Sequence, residues 1–281
     1  MTTEFLPRVG SEALDQIAEL CSDAVAQPPS RSELAKALFA EDQPAVVRFS
    51  PTVGVVATVR EGENGSLRLI AVHPGRRRQG NGHALVEAAE RDLKGAVVVT
   101  VGADPPYFLF PGVPSTETAL CYLLERHHFS REESNYNVVV DLADLPRGPS
   151  AGDHPLASER DAVKAWALEH WPNWCAEILR AFDQGSLLVD RDSRGIAAAC
   201  AFDVNRAATL GPIASRPDLI GKGAAKGLLL GTLSRMREIG YSQVQVLWVG
   251  PLVPYVRMGG TIGPVFFVYR KRRASEARAP T

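Results

Sequence analysis

The sequence predicts an α+β protein built from two tandem domains of one type, each a mixed, mostly antiparallel twisted sheet flanked by helices. Three observations carry this. The chain has 281 residues, about twice an ordinary domain. A stretch rich in Pro, Gly, Ser and Asp, ADLPRGPSAGDHP at 143–155, has no periodicity and interrupts the chain near its middle. On either side the order of elements is the same: two helices, three short strands, a Gly-rich turn, a helix, a strand, a helix and a strand. The expected domains are residues 1–145 and 156–281, joined by a linker at 146–155.

Each element has a local reason. Behind Ser11, expected as the cap, Leu14, Ile17, Leu20, Cys21, Ala24 and Val25 form one helical stripe. A second helix is expected from Ser32 to Phe39, after Pro28 and Pro29. Three β-rich runs follow at 45–49, 53–60 and 66–72, then an amphipathic helix at 81–93 and the apolar run AVVVTV at 96–101, suited to a buried strand. A helix at 116–127 and a strand at 135–142 close the half. The second half repeats this with helices at 158–169 and 173–183, strands at 186–190, 196–204 and 207–214, and a long helix at 223–240. A strand at 243–249, a short helix at 252–258 and a strand at 265–271 finish it.

Composition narrows the function. With 45% hydrophobic and 22% charged residues the chain is too apolar for disorder, and it is long enough to bury a core in each half. No window approaches 18 apolar residues, and the first twenty carry Glu4, Glu12, Asp15 and Glu19, so neither a membrane span nor a signal peptide is expected. Cys21, Cys121, Cys175 and Cys200 are scattered without a CxxC pair, as expected of reduced cytoplasmic thiols. Near-neutral charge argues against general nucleic-acid binding. The charge is split, however: residues 1–145 hold 13 Lys+Arg against 20 Asp+Glu, and residues 146–281 hold 18 against 12.

The Gly-rich turns carry the chemistry. In IAVHPGRRRQGNGHALVEAAE a strand ends at Val72 and a helix starts near Asn81, with Gly80 and Gly82 allowing close backbone approach. Helix-start amides, the helix dipole and Arg76, Arg77 and Arg78 together describe a pyrophosphate cradle. A dinucleotide-binding fold fits poorly, because the turn follows three hairpin-like strands, and no GxxxxGK[ST] loop occurs. The second turn, LGPIASRPDLIGKGAAKGLLLGTL, places Gly221, Lys222, Gly223, Ala224 and Ala225 at the same positions, with Ile220 in place of Arg77.

Arg77-x-x-Gly80-x-Gly82 between strand and helix resembles the acyl-CoA loop of the GCN5-related N-acetyltransferases. The resemblance implies acetyl-CoA as donor and no metal. Its pyrophosphate is implied to lie on Arg77, Arg78, Gln79, Gly80, Asn81, Gly82 and His83, and its pantetheine arm on a splayed strand at Ile70, Ala71 and Val72. It further implies that Tyr255, in a YxxxGG stretch close to the family's YxxxGF, protonates the leaving thiolate. Leu124 stands at the Tyr position of the first half, which has the better cradle but lacks the acid. The FPGV and WPNW segments resemble two-module members related to glucosaminide N-acetyltransferases, and VHPGRRRQGNG resembles the loop of mycothiol synthase.

Direct transfer also needs a base, for which Asp203 and Glu177, beside Trp171 and Trp174, are the candidates. The rigid loop PPYFLFPGVPSTETA at 105–119 would line an acceptor pocket or pack the domain interface. The two tryptophans suit a sugar or aromatic acceptor, or plain packing. His127 and His128 are adjacent, hence on different helix faces, and read as structural. The run at 270–273 reads as a solvated basic tail. The expected function is acetylation of a primary amine on a small molecule by a cytoplasmic monomer or homodimer. A cysteinyl-amine acceptor and a non-catalytic acyl-CoA sensor are the alternatives.

Overall fold

The apolar stripes find their partners in the computed structural model, which describes residues 6–145 and 152–273; residues 146–151 of the expected linker lie outside them. The first half runs β1 (Arg8–Val9), α1 (Leu14–Ala24), α2 (Arg31–Leu38), β2 (Val46–Ser50), β3 (Gly54–Glu61) and β4 (Asn64–Val72). It continues with α3 (Asn81–Asp92), β5 (Val98–Val101), β6 (Val113–Pro114), α4 (Thr118–Arg126) and β7 (Ser130–Asp141). The second half runs α5 (Arg160–His170), α6 (Cys175–Asp183), β8 (Leu187–Asp192), β9 (Gly195–Phe202) and β10 (Thr209–Ser215). It ends with α7 (Ala224–Glu238), β11 (Gln243–Val246), α8 (Val253–Val256) and β12 (Thr261–Arg272). Ser11 opens a 3₁₀ turn before α1 and makes no capping bond.

The chain divides into two compact units, Met1–Asn135 with Val265–Thr281, and Tyr136–Pro264. This differs from division at the linker. In the first unit β1 to β4 are antiparallel neighbours, β5 pairs parallel with β4, and the next partner of β5 is β12, through Tyr269–Arg272. In the second unit β8, β9 and β10 are antiparallel, β11 pairs parallel with β10, and the next partner of β11 is β7, through Val138–Asp141. The closing strand of each half is thus incorporated into the other unit. Alternation along a strand reports which residues share a face but not which strand lies beside it, so the sequence pattern was silent on this.

The exchange corrects two further expectations. Arg270–Arg272 end a paired strand rather than forming a solvated tail: Arg272 donates to Glu132, Lys271 to Glu90 at 2.5 Å, and Arg273 to the Leu93 carbonyl. Counted by unit, the charge split disappears, with 18 Lys+Arg against 19 Asp+Glu in the first and 13 against 13 in the second.

In each unit the sheet is covered on both faces, because central strands such as β3 and β9 are buried at nearly every position rather than at alternate ones. In the first unit Val55, Ala57, Leu69 and Ala71 meet α1 and α2, while Val56 and Leu67 meet α3. In the second, Val189, Ala199, Ala201 and Ala214 meet α5 and α6, while Cys200, Leu210 and Val246 meet α7 and α8. All four cysteines are free, and burial pushes the Cys21 and Cys200 thiols up to about 12. Among the described residues no helix is long and apolar enough to cross a membrane.

Tyr269 is fully buried in the first unit. Tyr269→Ala is expected to cost about 3–5 kcal/mol. Amide exchange should show protection lost in β5, its partner strand, and retained in β11.

Candidate functional site

In each unit a parallel pair of strands comes apart at the same point. β4 and β5 pair as far as Leu67 and Val101, and their last bond runs from the Gly102 amide to the Leu67 carbonyl at 3.1 Å. β10 and β11 pair as far as Leu210 and Val246, ending with the Leu247 amide on the Leu210 carbonyl at 3.0 Å. The next residue on each outgoing strand has positive φ, 49° at Ala103 and 51° at Trp248, and turns the chain away. Asn137 holds the second turn: its Oδ1 accepts from the Trp248 amide at 3.2 Å and its Nδ2 donates to Gln245. On the strands that stay behind, the register shifts at once, between Ala57 and Thr58 opposite β4 and between Leu210 and Ile213 in β10.

Beyond these bulges β4 and β10 keep one neighbour and leave the other edge open. The His73 amide donates to Val53 and the Arg216 amide to Ala197, which sets the alternation. Ala71 is therefore bonded toward Val55 and Ala214 toward Ala199, and the main-chain groups of Ile70, Val72, Ile213 and Ser215 point into the gap. Of the three expected arm-binding residues, Ile70 and Val72 face the gap and Ala71 does not.

Each gap ends at a cradle, and the two cradles share one backbone. A 3₁₀ turn, Pro74–Arg76 or Pro217–Leu219, is followed by positive φ at Arg78 (61°) or Gly221 (79°) and again at Gly80 (85°) or Gly223 (84°). A Cβ at Gly80, Gly221 or Gly223 would meet no atom within 4 Å, so the concave space is open. The first amide to return to the helix ladder is that of Ala84 in α3 and of Lys226 in α7. The amides of Asn81, Gly82 and His83, and of Ala224 and Ala225, stay outside the ladder at the positive end of the dipole, which suits a pyrophosphate.

The side chains of the first cradle are mostly used internally. Arg77, expected on the phosphate, bonds the Ala24 carbonyl at 2.8 Å and the Val72 carbonyl at 3.4 Å, capping α1. Gln79 donates to the Gly75 carbonyl and Asn81 to that of Arg76. Gly82 lies against Leu123, whose side-chain tip a Cβ there would meet at 2.9 Å. His83 lies 2.9 Å from His127. Arg76 and Arg78 remain exposed. In the second cradle the buried Arg216 clasps Asp192 at 2.5 Å and Asp218 at 2.7 Å, and Lys222 is exposed. Hydrogen bonds from Arg194 and Arg216 hold the Asp218 carboxyl down to about 2.

The units differ beside the gap. In the first, the bulge residue Arg68 is buried on the α2 side, its guanidinium bonding Asp104, Gln43 and the Ala37 carbonyl, each at 2.7 Å. The loop expected to line a pocket is thereby fastened to Arg68, with Tyr107 stacked on the guanidinium. In the second unit Gly211 follows Leu210 where Arg68 follows Leu67. There Tyr255 belongs to the buried cluster that includes Cys200, Leu210 and Leu229, with Ile213 packed against that cluster. Its hydroxyl has no hydrogen-bond partner among the described residues, and burial pushes the phenol well above its ordinary range, so it holds its proton. Gly260, which departs from the resembled motif, leaves room for Val138: a Cβ there would meet it at 2.6 Å.

The two candidate bases have different surroundings. Asp203 sits in the β9–β10 turn at φ 53°, its amide on Thr209 and its carboxylate accepting from the Tyr241 hydroxyl at 2.9 Å. It anchors a turn at the end of β10 remote from the cradle. Glu177 is the third residue of α6, buried, and without a hydrogen bond or ion pair among the described residues. The third residue of α2, Glu33, instead closes a capping box with Ser30. Burial pushes the Glu177 carboxyl up to about 7, against the lowering effect of Arg180.

No protein-family model matches the chain, and no curated protein matches it in sequence. Solved structures do match its fold. A GCN5-related glucosamine N-acetyltransferase region in a fungal multi-domain GH3 β-N-acetylglucosaminidase matches at a TM-score of 0.77 and 19% identity, over 94% of this chain and 38% of that one. A GCN5-related N-acetyltransferase from Sphaerobacter thermophilus matches at 0.69 and 17% identity, over 94% of both chains. A tandem protein of the same fold from the clavulanic acid biosynthesis pathway matches at 0.67 and 14%, over 94% of this chain and 97% of that one. The chain therefore has the GCN5-related N-acetyltransferase fold in tandem. It spans well under half the length of the fungal protein.

The buried Glu177 has a consequence for stability. A folded pKa of about 7, above the carboxyl's ordinary 4.5, means that the folded state binds the extra proton, so stability falls as pH rises from 4.5 through 7. Glu177→Gln is expected to flatten that slope and raise the melting temperature at pH 8; thermal unfolding at pH 5 and pH 8 measures both.

Proposed function

We propose that the protein transfers the acetyl group of acetyl-CoA to a primary amine of a small molecule, with the chemistry in the second unit. The observation that carries this is Tyr255, a buried phenol whose hydroxyl has no described partner, packed in the cluster that includes Leu210, where β10 and β11 part. The exposed backbone edge and open cradle of that unit support a donor arm on Ile213 and Ser215, with its pyrophosphate at Gly221–Ala225. Acetyl-CoA supplies the activated acyl group. In the first unit the same gap is backed by the buried Arg68 network, and Leu124 stands in place of the Tyr.

The proton balance assigns two roles. The acceptor arrives as an ammonium and must lose a proton before its nitrogen can attack; Glu177, with a carboxyl pushed up to about 7, takes it and passes it to water. The C–N bond forms, the C–S bond breaks, and the thiolate takes the Tyr255 proton, which water restores as the new amide sheds its second proton. One proton is released overall. An amide of the open edge stabilises the oxyanion.

Tyr255→Phe keeps the ring in its core and removes the proton. Its kcat is expected to fall on the order of 10²-fold with acetyl-CoA affinity unchanged, read by thiol release and calorimetry. An unaltered rate would remove Tyr255 from the reaction. Gly223→Glu, checked for folding by thermal melting, is expected to abolish the acetyl-CoA binding that supports turnover; loss only in Gly80→Glu would move the donor to the first unit.

A further inference from the structure

A strand that ran on regularly beside β10 would send every second amide back to it. β11 and its continuation do so twice: the Gln245 amide bonds the Ala208 carbonyl at 2.9 Å and the Leu247 amide the Leu210 carbonyl at 3.0 Å. Val249 is next in that series, yet its amide bonds the Tyr136 carbonyl of β7 at 3.2 Å. The residue between is Trp248, whose amide goes to the Asn137 side chain, also of β7. Two successive amides are thus taken on the β7 side. A strand manages that only by reversing its alternation, and the positive φ of Trp248 is that reversal. On β10, Pro212 has no N–H with which to draw the departing strand back.

Asn137 is fully buried, and both ends of its amide are used: Oδ1 accepts from Trp248, and Nδ2 donates to the Gln245 Oε1 at 2.9 Å, which fixes the way it faces. The duplication supplies a control. In register, Val268 of β12 stands in the first unit where Asn137 stands in the second, and Ala103 stands where Trp248 does. The Ala103 amide bonds the Phe110 carbonyl at 2.9 Å, from the loop that follows it. Main chain therefore holds the first turn, and a single side chain holds the second.

We propose that Asn137 is the positioning residue of the second unit: by taking the Trp248 amide it turns the strand toward β7 and keeps the gap between β10 and β11 from closing. Without it the Val249 amide returns to β10, and the Ile213 amide, which faces the gap, gains a partner across it. A closed gap excludes the donor arm. That consequence for acetyl-CoA rests on the acyl-transfer reading above; the consequence for Ile213 does not. Asn137 acts through the backbone and not on the reacting atoms. It lies in the first half of the sequence, so the exchanged strand β7 equips the site of the other unit.

Amide exchange in the full chain, with no ligand added, tests the wedge. Asn137→Leu is expected to slow exchange at Ile213 by about 10-fold or more, whereas loss of a residue that served stability alone would speed exchange across the unit. With roughly nine molecules in ten closed, the acetyl-CoA Kd, read by calorimetry, should rise about 10-fold. In turnover the loss should fall on the acetyl-CoA KM rather than on kcat at saturation. Asn137→Asp keeps an acceptor for the Trp248 amide and lets the Gln245 side chain turn to donate, so it should restore most of both readouts. Trp248→Val closes the gap by a separate route, because a β-branched side chain resists positive φ, and the position is exposed enough to tolerate it. Unchanged or faster exchange at Ile213 in Asn137→Leu, or in Trp248→Val should the first not fold, would overturn the wedge even where acetyl-CoA is bound and turned over. Slowed exchange at Ile213 in the variants, with no acetyl-CoA bound by the unaltered protein, would keep the wedge and sink the acyl-transfer reading.

Discussion

Everything that makes a site in this molecule depends on where a pair of parallel strands stops being paired. In the second unit that point is the Leu247–Leu210 hydrogen bond, after which Trp248 turns away at positive φ and β10 bulges. A parallel pair would ordinarily satisfy both edges of a central strand. Its interruption leaves the groups of Ile213 and Ser215 facing a gap, and those groups need a partner. Trp171 takes one of them, the Ser215 carbonyl. The others form a template on which an extended, amide-containing arm pairs as a strand would.

The duplication shows which features are scaffold and which are chemistry. Both units repeat the gap, the 3₁₀ turn, the two positive φ values and the helix start. They diverge at side chains around the gap. A buried arginine fills the α2 side of one bulge and glycine leaves the other clear; a leucine stands opposite a tyrosine; a capping glutamate stands opposite one with no partner among the described residues. Each difference opens or equips the second unit and closes the first.

Much of this was legible in the sequence, because it was written in local rules. Glycines before amphipathic helices marked both cradles, and the repeat of elements marked the duplication. What was not legible was non-local. The partners of β7 and β12 depend on pairing between strands more than 100 residues apart in sequence, which alternation does not encode. Arg77 looked like a phosphate ligand because its bond to Ala24 cannot be read from spacing. Arg68 and Asn137 were missed, although each left a trace: a charge inside the apolar run LRLIAV, and an amide side chain inside NYNVVV. Buried polar residues in strand cores need partners, and here those partners set the turns beside the gap.

The most direct measurement is amide hydrogen exchange at Ile213 and Ser215, residue by residue, with and without acetyl-CoA. Pairing of the donor arm on the open edge of β10 predicts slowed exchange at both amides, together with those of Ala224 and Ala225 at the cradle. Unchanged exchange at all four, while acetyl-CoA binds elsewhere or not at all, would contradict the assignment of this gap as the site of transfer.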